Sequence, residues 1–251
     1  MISNPPSPTL PSVARVCAVS VNCRACPVVG ESVWAGAASA DSDAFIQARV
    51  PLKIGRGKTL FREGDAVDAL YVVISGAVVL YRPGSRGRPI AIHLVAPGHT
   101  VGFRALAEGG GHRATARCPQ DSVLCSIPVH AAEIAFAAHR PLERVFLRDL
   151  TLELRGMRER LLQISCLGVR DRLVLMLGRL IRPYATEVGE GWLIANPLAR
   201  TDMAALAGMT PETISRCIKQ LEQENMAHFS RRSILIPSRQ RMSVEIERLE
   251  Q

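Results

Sequence analysis

Apolar residues change their spacing three times along the chain, and each change marks a new kind of element. From about Val50 to Pro128 the runs GRGKTLFREGD, LYVVISGAVVLYR, PIAIHLVAPG and SVLCSIP are short and rich in Val, Ile, Leu and Tyr. Gly, Pro and Asp punctuate them at roughly ten-residue intervals, which predicts a small antiparallel sandwich or barrel, with EGGGHR as a long turn. After Pro128 the period lengthens. Phe146, Leu150, Leu154, Met157, Leu161 and Ile164 recur at steps of 4, 4, 3, 4 and 3. That stripe, with Arg and Glu on the other faces, predicts one long helix whose apolar seam pairs with a second copy in a coiled coil. Packing of the seam on its own β domain is the alternative. Gly156, in the middle of the seam, weakens the helix slightly and permits close approach.

The last third is helical again. DRLVLMLGRLIRPYA reads as an amphipathic helix, and TDMAALAGMTPETISRCIKQLEQENM follows with the offsets of a helix-turn-helix. Ala204 lets two helices touch, Gly208 makes the turn and Ile214 packs the second helix inward. Thr210 is placed to cap that helix, with Pro211 at its first position. Ile214, Ile218 and Leu221 form its buried stripe, with Cys217 on the edge. Glu212, Ser215, Arg216 and Lys219 share the opposite face. Arg grips guanine O6 and N7, Glu accepts from cytosine N4 and Ser is adaptable, so this face has the chemistry to read a major groove. A solvated face with a Glu212–Arg216 ion pair is the plainer alternative. AHFSRRSILIP then predicts a hairpin whose turn carries Arg231 and Arg232, suited to phosphate contact, and completes a winged helix-turn-helix.

These patterns predict an α+β chain with a disordered lead-in at 1–16 and a cysteine-bearing segment and β-roll at 17–138. A dimerisation helix at 139–168, a winged helix-turn-helix at 169–240 and a tail at 241–251 complete it. The 251 residues are 47% hydrophobic and 22% charged, the balance of a soluble globular protein. A net charge of +8 favours a polyanionic partner. Yet residues 173–251, where the DNA-reading face is predicted, carry only +1. MISNPPSPTLPS lacks the basic start and apolar core of a signal peptide, and no apolar run reaches membrane-spanning length, so a cytoplasmic protein without a membrane partner is expected. Seven cysteines, three of them crowded at Cys17, Cys23 and Cys26, point to metal or redox chemistry rather than a disulfide framework. No Ser-His-Asp set, carboxylate pair or phosphate-binding glycine loop suggests an enzyme.

A β-roll, a long helix and a C-terminal winged helix-turn-helix, with GKTLFREGD, LYVVISGAVVLY, VGFRAL, VLCSIP and GMTPETISR, resembles the Crp/Fnr transcription regulators. The last three motifs look like the Fnr branch. The resemblance implies a cyclic-nucleotide-binding-like β-roll and a homodimer on double-stranded DNA of the TTGAT-N4-ATCAA type. It places Arg216 on G and Glu212 on C, with RNA polymerase as a further partner. It argues against cyclic AMP: Phe103 stands where that ligand's ribose-binding Glu belongs, and Ala114 follows Arg113 where a hydroxyl belongs. It also implies an oxygen-responsive [4Fe–4S] cluster held by Cys17, Cys23, Cys26 and Cys125, with Cys118 in reserve. The third N-terminal ligand departs from the family's pattern, because Ser32 lies where a cysteine is expected and Cys17 precedes the pair instead. A Cys23–Cys26 thiol switch and a small-ligand sensor are the alternatives. Haem on His93, His99 or His112 has no supporting spacing. Cys166 and Cys217 read as buried small hydrophobes. Met157 in the seam, where an acidic residue would repel its copy, implies a dimer that persists without the cluster.

Overall fold

A computed structural model of the chain describes Cys26, Val28, Ser32, Trp34 and residues 47–84 and 88–250. The lead-in at 1–16, Cys17 and Cys23 lie outside the described residues. Eight strands build the β-roll: β1 (Val50–Ile54), β2 (Thr59–Phe61), β3 (Ala69–Ser75), β4 (Val78–Pro83), β5 (Pro89–Val95), β6 (Thr100–Val101), β7 (Thr115–Arg117) and β8 (Ser122–Pro128). They form two antiparallel four-stranded sheets, ordered β1-β8-β3-β6 and β2-β7-β4-β5. The VGFRAL segment is a short helix, α1 (Phe103–Glu108), and the Gly-rich stretch joins it to β7. Gly76 turns β3 into β4 at φ 86°, and a Cβ there would lie 2.3 Å from Ser122 Oγ, so glycine alone fits.

Helix α2 (Val129–Ala138) leads into the long helix α3 (Arg140–Cys166). Its 27 residues span about 40 Å at the usual rise. Phe146 departs from the predicted seam. It is 3% exposed and packs inside its own chain, its ring 5.0 Å from Trp34, 4.8 Å from Phe136 and 4.2 Å from Phe103. Its neighbour Leu147 points outward at 66% exposure. An aromatic cluster at the helix base claims the larger ring because it buries more apolar area there.

The remaining elements are α4 (Val169–Tyr184), β9 (Ala185–Val188), β10 (Gly191–Ala195), α5 (Arg200–Leu206), α6 (Pro211–Gln223), β11 (His228–Phe229), β12 (Ser233–Ile236) and α7 (Arg239–Glu250). The strands form a third sheet, β11-β12-β10-β9, of which only the β11–β12 hairpin was legible in the sequence. The expected C-terminal tail is largely helix α7, pinned by fully buried Met242. No helix among the described residues is long and apolar enough to cross a membrane.

Arg170, on α4, holds this C-terminal unit together. It donates to Glu224 Oε2 at 2.7 Å, Glu245 Oε1 at 2.6 Å and Asp171 Oδ1 at 2.8 Å. Arg170 therefore ties α4 to the end of α6 and to α7. Its guanidinium holds the Glu224 carboxyl below the ordinary range, and Arg248 together with Arg170 does the same for Glu245. Substituting Arg170→Met should cost about 2 kcal/mol, because two half-buried carboxylates lose their partner. For a chain of this size that lowers Tm by about 4–8 °C. Both carboxyls have depressed folded-state pKa values, so the stabilisation is full above their ordinary value of 4.5 and is lost as pH falls through the folded values. Thermal melts of wild type and variant should differ by a constant amount above that pH and converge below it.

Candidate functional site

The recognition face is built from the N-terminus of α6 upward. Thr210 Oγ1 accepts a hydrogen bond from Thr213 N at 3.3 Å, and Pro211 occupies a first-turn position where its missing N–H costs nothing. Ile214, Cys217, Ile218 and Leu221 are all at most 3% exposed and seat the helix on the core. Glu212, Arg216 and Lys219 are left exposed on the other side, with Ser215 half-buried and its hydroxyl donating to Pro211 O at 2.9 Å. The Glu212 carboxyl lies below its ordinary range because it accepts from its own backbone N–H and from Thr210. Arg216 adds only a minor attraction. No Glu212–Arg216 ion pair forms among the described residues, so the Arg216 guanidinium is not held by that carboxylate. Gly208 makes the turn at φ 65°, and Ala204 is 1% exposed where α5 and α6 cross. Arg231 and Arg232 are exposed in the β11–β12 turn, which Ser230 and Ser233 close by mutual hydrogen bonds.

The C-terminal unit is docked on the β-roll. Val79 and Ala91, from β4 and β5, lie in the same hydrophobic core as Ile214, Ile218 and Leu221. Tyr81 donates its hydroxyl to Asp202 Oδ2 on α5 at 3.0 Å. Burial and that carboxylate push the Tyr81 pKa up, and burial raises that of Asp202. At the far end of α3, Ile164 lies against the turn: a Cβ on Gly208 would meet Ile164 Cδ1 at 3.0 Å. Nothing in the residue pattern announced these interdomain contacts.

The exposed face of α3 carries Leu147, Leu150, Leu154, Met157, Leu161 and Ile164, at steps of 3, 4, 3, 4 and 3. Leu147, Leu154, Leu161 and Ile164 are between 49% and 67% exposed in the single chain. That is a strict heptad repeat, in which Leu147, Leu154 and Leu161 stand exposed, Leu150 and Met157 are half-buried, and Ile164, also exposed, touches the Gly208 turn.

At the other end, Cys125 on β8 opposes Pro51 and Val72 in register and packs against the aromatic cluster around Trp34 and Phe146. Burial pushes its thiol pKa up. The Arg49 guanidinium, hydrogen-bonded to it, opposes that shift, and Cys26 is close enough to be felt as a like charge. Two of the four expected cluster ligands thus lie within electrostatic reach of each other. The other two, Cys17 and Cys23, lie outside the described residues, and among the described residues no group of three His, Cys, Asp or Glu side chains is placed to hold a metal. Trp34 anchors this segment through its indole Nε1, which donates to Thr100 Oγ1 at 3.2 Å. Cys118 is fully buried in the β-roll core, with its pKa pushed up to about 11, and does not reach this cluster of sulfurs. Cys217 is buried as expected, whereas Cys166 is exposed at the end of α3. Of the three histidines, His112 is buried and stacked on Phe61 at 3.5 Å between ring centroids, His93 lies beneath α3 and His99 is exposed.

The pocket where a cyclic nucleotide would bind is small. It measures about 180 Å³, with Phe103 and Phe146 in its wall. The Arg113 guanidinium faces Glu108 at 3.4 Å.

Residues 51–139 match the model of the cyclic nucleotide-binding domain, and residues 171–244 match that of the Crp-like helix-turn-helix domain. The fumarate and nitrate reduction regulatory protein of Escherichia coli strain K12 is 26% identical over 184 residues, covering 73% of this chain and 72% of that protein. The anaerobic regulatory protein of Pasteurella multocida is 25% identical over 181 residues, covering 72% and 65%. The fold is similar to that of FixK2 from Bradyrhizobium japonicum, with a TM-score of 0.68 at 24% identity over 78% of this chain and 96% of that one. CooA from Carboxydothermus hydrogenoformans, in a double-mutant form, gives a TM-score of 0.66 at 13% identity over 85% and 94%.

Proposed function

Because the chain belongs to the Crp/Fnr family of DNA-binding transcription regulators, we propose that it acts as an Fnr-type homodimer. It reads a palindromic site and responds to oxygen or redox state through cysteine thiolates. The observation that carries the sensing half is the meeting of Cys26 and Cys125 beside the aromatic cluster that seats the base of α3. Their soft sulfurs suit iron, and Cys17 and Cys23 are the residues that would complete a four-thiolate set for a [4Fe–4S] cluster. When bound, such a cluster supplies sensitivity to oxygen or nitric oxide. The chain's own part is to fix where those thiolates stand. Cys125 is held by the β8 ladder, Arg49 donates to its sulfur, and Trp34 pins the N-terminal segment to Thr100 and Phe146. Relatives named as anaerobic and as fumarate and nitrate reduction regulators support the same reading. A thiol switch without iron is the second reading, favoured by the neighbouring Cys26 and Cys125 alone. Cyclic AMP is disfavoured, since Phe103 adds a ring where a carboxylate would hold the ribose and the pocket is below the usual size of ligand sites.

For DNA, Arg216 is assigned to guanine and Glu212 to cytosine of a TTGAT-N4-ATCAA-like site. Ser215 and Lys219 flank them, Thr210 caps the helix, and Arg231 and Arg232 contact the backbone. The heptad face from Leu147 to Ile164 is assigned to the dimer, which leaves Phe146 to the chain's own core. RNA polymerase is the expected partner at promoters.

Three measurements test these assignments. Arg216→Ala should weaken binding to the cognate palindrome by about 1–3 kcal/mol and relax base preference at one position of each half-site. Unchanged sequence preference in a binding-site selection would remove Arg216 from its role. Protein purified without oxygen should carry roughly four irons and matching sulfide per chain, with visible absorption that air bleaches, and Cys125→Ser should lose both. Iron-free protein from strict anoxia would leave the thiol switch. Finally, Leu154→Glu should shift the protein from dimer to monomer in light scattering, while Leu147→Ala should melt close to wild type when compared as monomers.

A further inference from the structure

Behind the dimer face, α3 presents a second side to the interior of its own chain. Asp149, Leu152, Glu153, Gly156, Glu159 and Arg160 line a cavity of about 350 Å³ there. Its other walls come from β5 and the turn after it, through His93 and Leu94, and from α4, through Met176, Arg179 and Leu180. The cavity therefore touches the β-roll, the long helix and the DNA-binding unit at once. Its volume lies in the range of sites that take small molecules. Gly156, read from the sequence as part of the dimer seam, faces this cavity instead.

The chemistry of the walls is uneven. Leu94, Leu152, Met176 and Leu180 give an apolar floor. Arg160 and Arg179 enter from α3 and α4. Arg160 donates to Gly156 O at 3.3 Å and to Ile92 O at 3.4 Å, and Arg179 donates to Gln163 Oε1 at 2.6 Å. Each guanidinium keeps N–H groups that these bonds do not use. Burial depresses both pKa values; Glu153 opposes this at Arg160, and at Arg179 the repulsion from Arg160 is opposed by Glu159 and Glu250. Carboxylates are present but partly engaged: Glu159 pairs with Arg155 at 2.8 Å and Glu153 faces Arg104 at 3.9 Å, leaving Asp149 on the rim. His93 Nδ1 is buried with no hydrogen-bond partner. Burial and the nearby Arg160 push that imidazole down to about 4, so it is neutral near pH 7. A half-buried Arg160 and an exposed Arg179, with free N–H groups beside an unpartnered imidazole nitrogen and an apolar floor, form an arrangement that can take an anion with an apolar body.

We propose that this interdomain cavity binds a small organic acid, with its carboxylate between Arg160 and Arg179 and its apolar body on Leu152, Met176 and Leu180. Planar guanidinium groups match a carboxylate better than they match a neutral amide. Binding at the cavity does not depend on any cluster. Its consequence for DNA rests on the DNA-binding reading above: a ligand held by three elements favours one arrangement of them over others.

The test uses the full-length protein and three probes: phenylacetate, indole-3-acetate and, as a neutral control, phenylacetamide. Calorimetry reads binding directly, and anisotropy of a labelled palindrome reads the effect on DNA. At least one of the two carboxylates should bind in the millimolar range or tighter while the amide does not, and Arg179→Met should weaken binding about tenfold. Gly156→Leu is the occluding variant. A Cβ there meets nothing within 4 Å, so the new side chain grows into the cavity while the helix gains propensity. It should melt at least as high as wild type and lose binding. Failure of both carboxylates to bind, equal binding of the amide, or undiminished binding to Gly156→Leu overturns the site. Binding that leaves DNA affinity unchanged overturns its role as an effector. A protein that binds no DNA under any condition sinks the DNA reading, while calorimetry still decides the site.

Discussion

Val79 and Ala91, which belong by sequence to the β-roll, are buried in the same core as Ile214 and Leu221 of the recognition helix. This shared core is the constraint on which the rest of the structure turns. A helix-turn-helix joined only by a tether would read DNA independently of whatever the β-roll senses. Here the β4–β5 hairpin forms part of its foundation, and the Tyr81–Asp202 hydrogen bond fixes register across the joint. The tyrosine hydroxyl and the carboxylate are both half-buried at the joint and satisfy each other there, so the bond favours the docked arrangement. The recognition helix therefore cannot reorient unless the hairpin yields or moves with it.

The long helix divides its circumference among three tasks. One side, at Phe146, is held in an aromatic cluster with Trp34, Phe136 and Phe103. A second, from Leu147 to Ile164, is a largely exposed heptad stripe. The third, through Gly156 and Arg160, walls the interdomain cavity. At 3.6 residues per turn Phe146 shares the angular face of the stripe and is set apart from it along the axis, at the helix base, whereas Gly156 and Arg160 lie off that face. That arrangement leaves room on one element for the proposed dimer, sensing and ligand contacts.

The layout was legible because period and punctuation carry it: short β runs, a long heptad helix, and a helix-turn-helix marked by Ala204, Gly208 and Ile214. The capping of α6 by Thr210 and its division into a buried and an exposed face also followed directly from spacing. What spacing could not decide was phase. Phe146 and Leu147 both fit four residues or three before Leu150, and only the ring of Trp34, distant in sequence, settles which one turns inward. Helix α7 was hidden by its polar composition, although Met242, Ile246 and Leu249 step by 4 and 3. The proximity of Cys26 to Cys125, the Arg49 contact and the Tyr81–Asp202 bond are tertiary facts with no local signature. Net charge misdirects, since the DNA-reading segment is nearly neutral and its case rests on where a few side chains stand.

The two ends of α3 make the coupling specific. Near its start, Phe146 shares a cluster with Trp34 and with Cys125, the wall of the proposed sensing site. At its finish, Ile164 lies against the Gly208 turn so closely that a single Cβ would crowd it. Both stand on one uninterrupted helix of 27 residues, in which only Gly156 lacks a side chain and no proline breaks the ladder after the first turn. A helix of that kind is stiff over its length and does not absorb a displacement by local unfolding. A change in how Phe146 is seated must then appear at Ile164 as a rotation or shift of the whole rod, and hence at the turn that sets the recognition helix. In the proposed dimer the same rod carries the heptad stripe, whose side chains stay apolar in every state, so the movement would change the angle between two copies sooner than it separated them. On the proposed reading the switch acts on the spacing of two recognition helices, and association is the background against which it works.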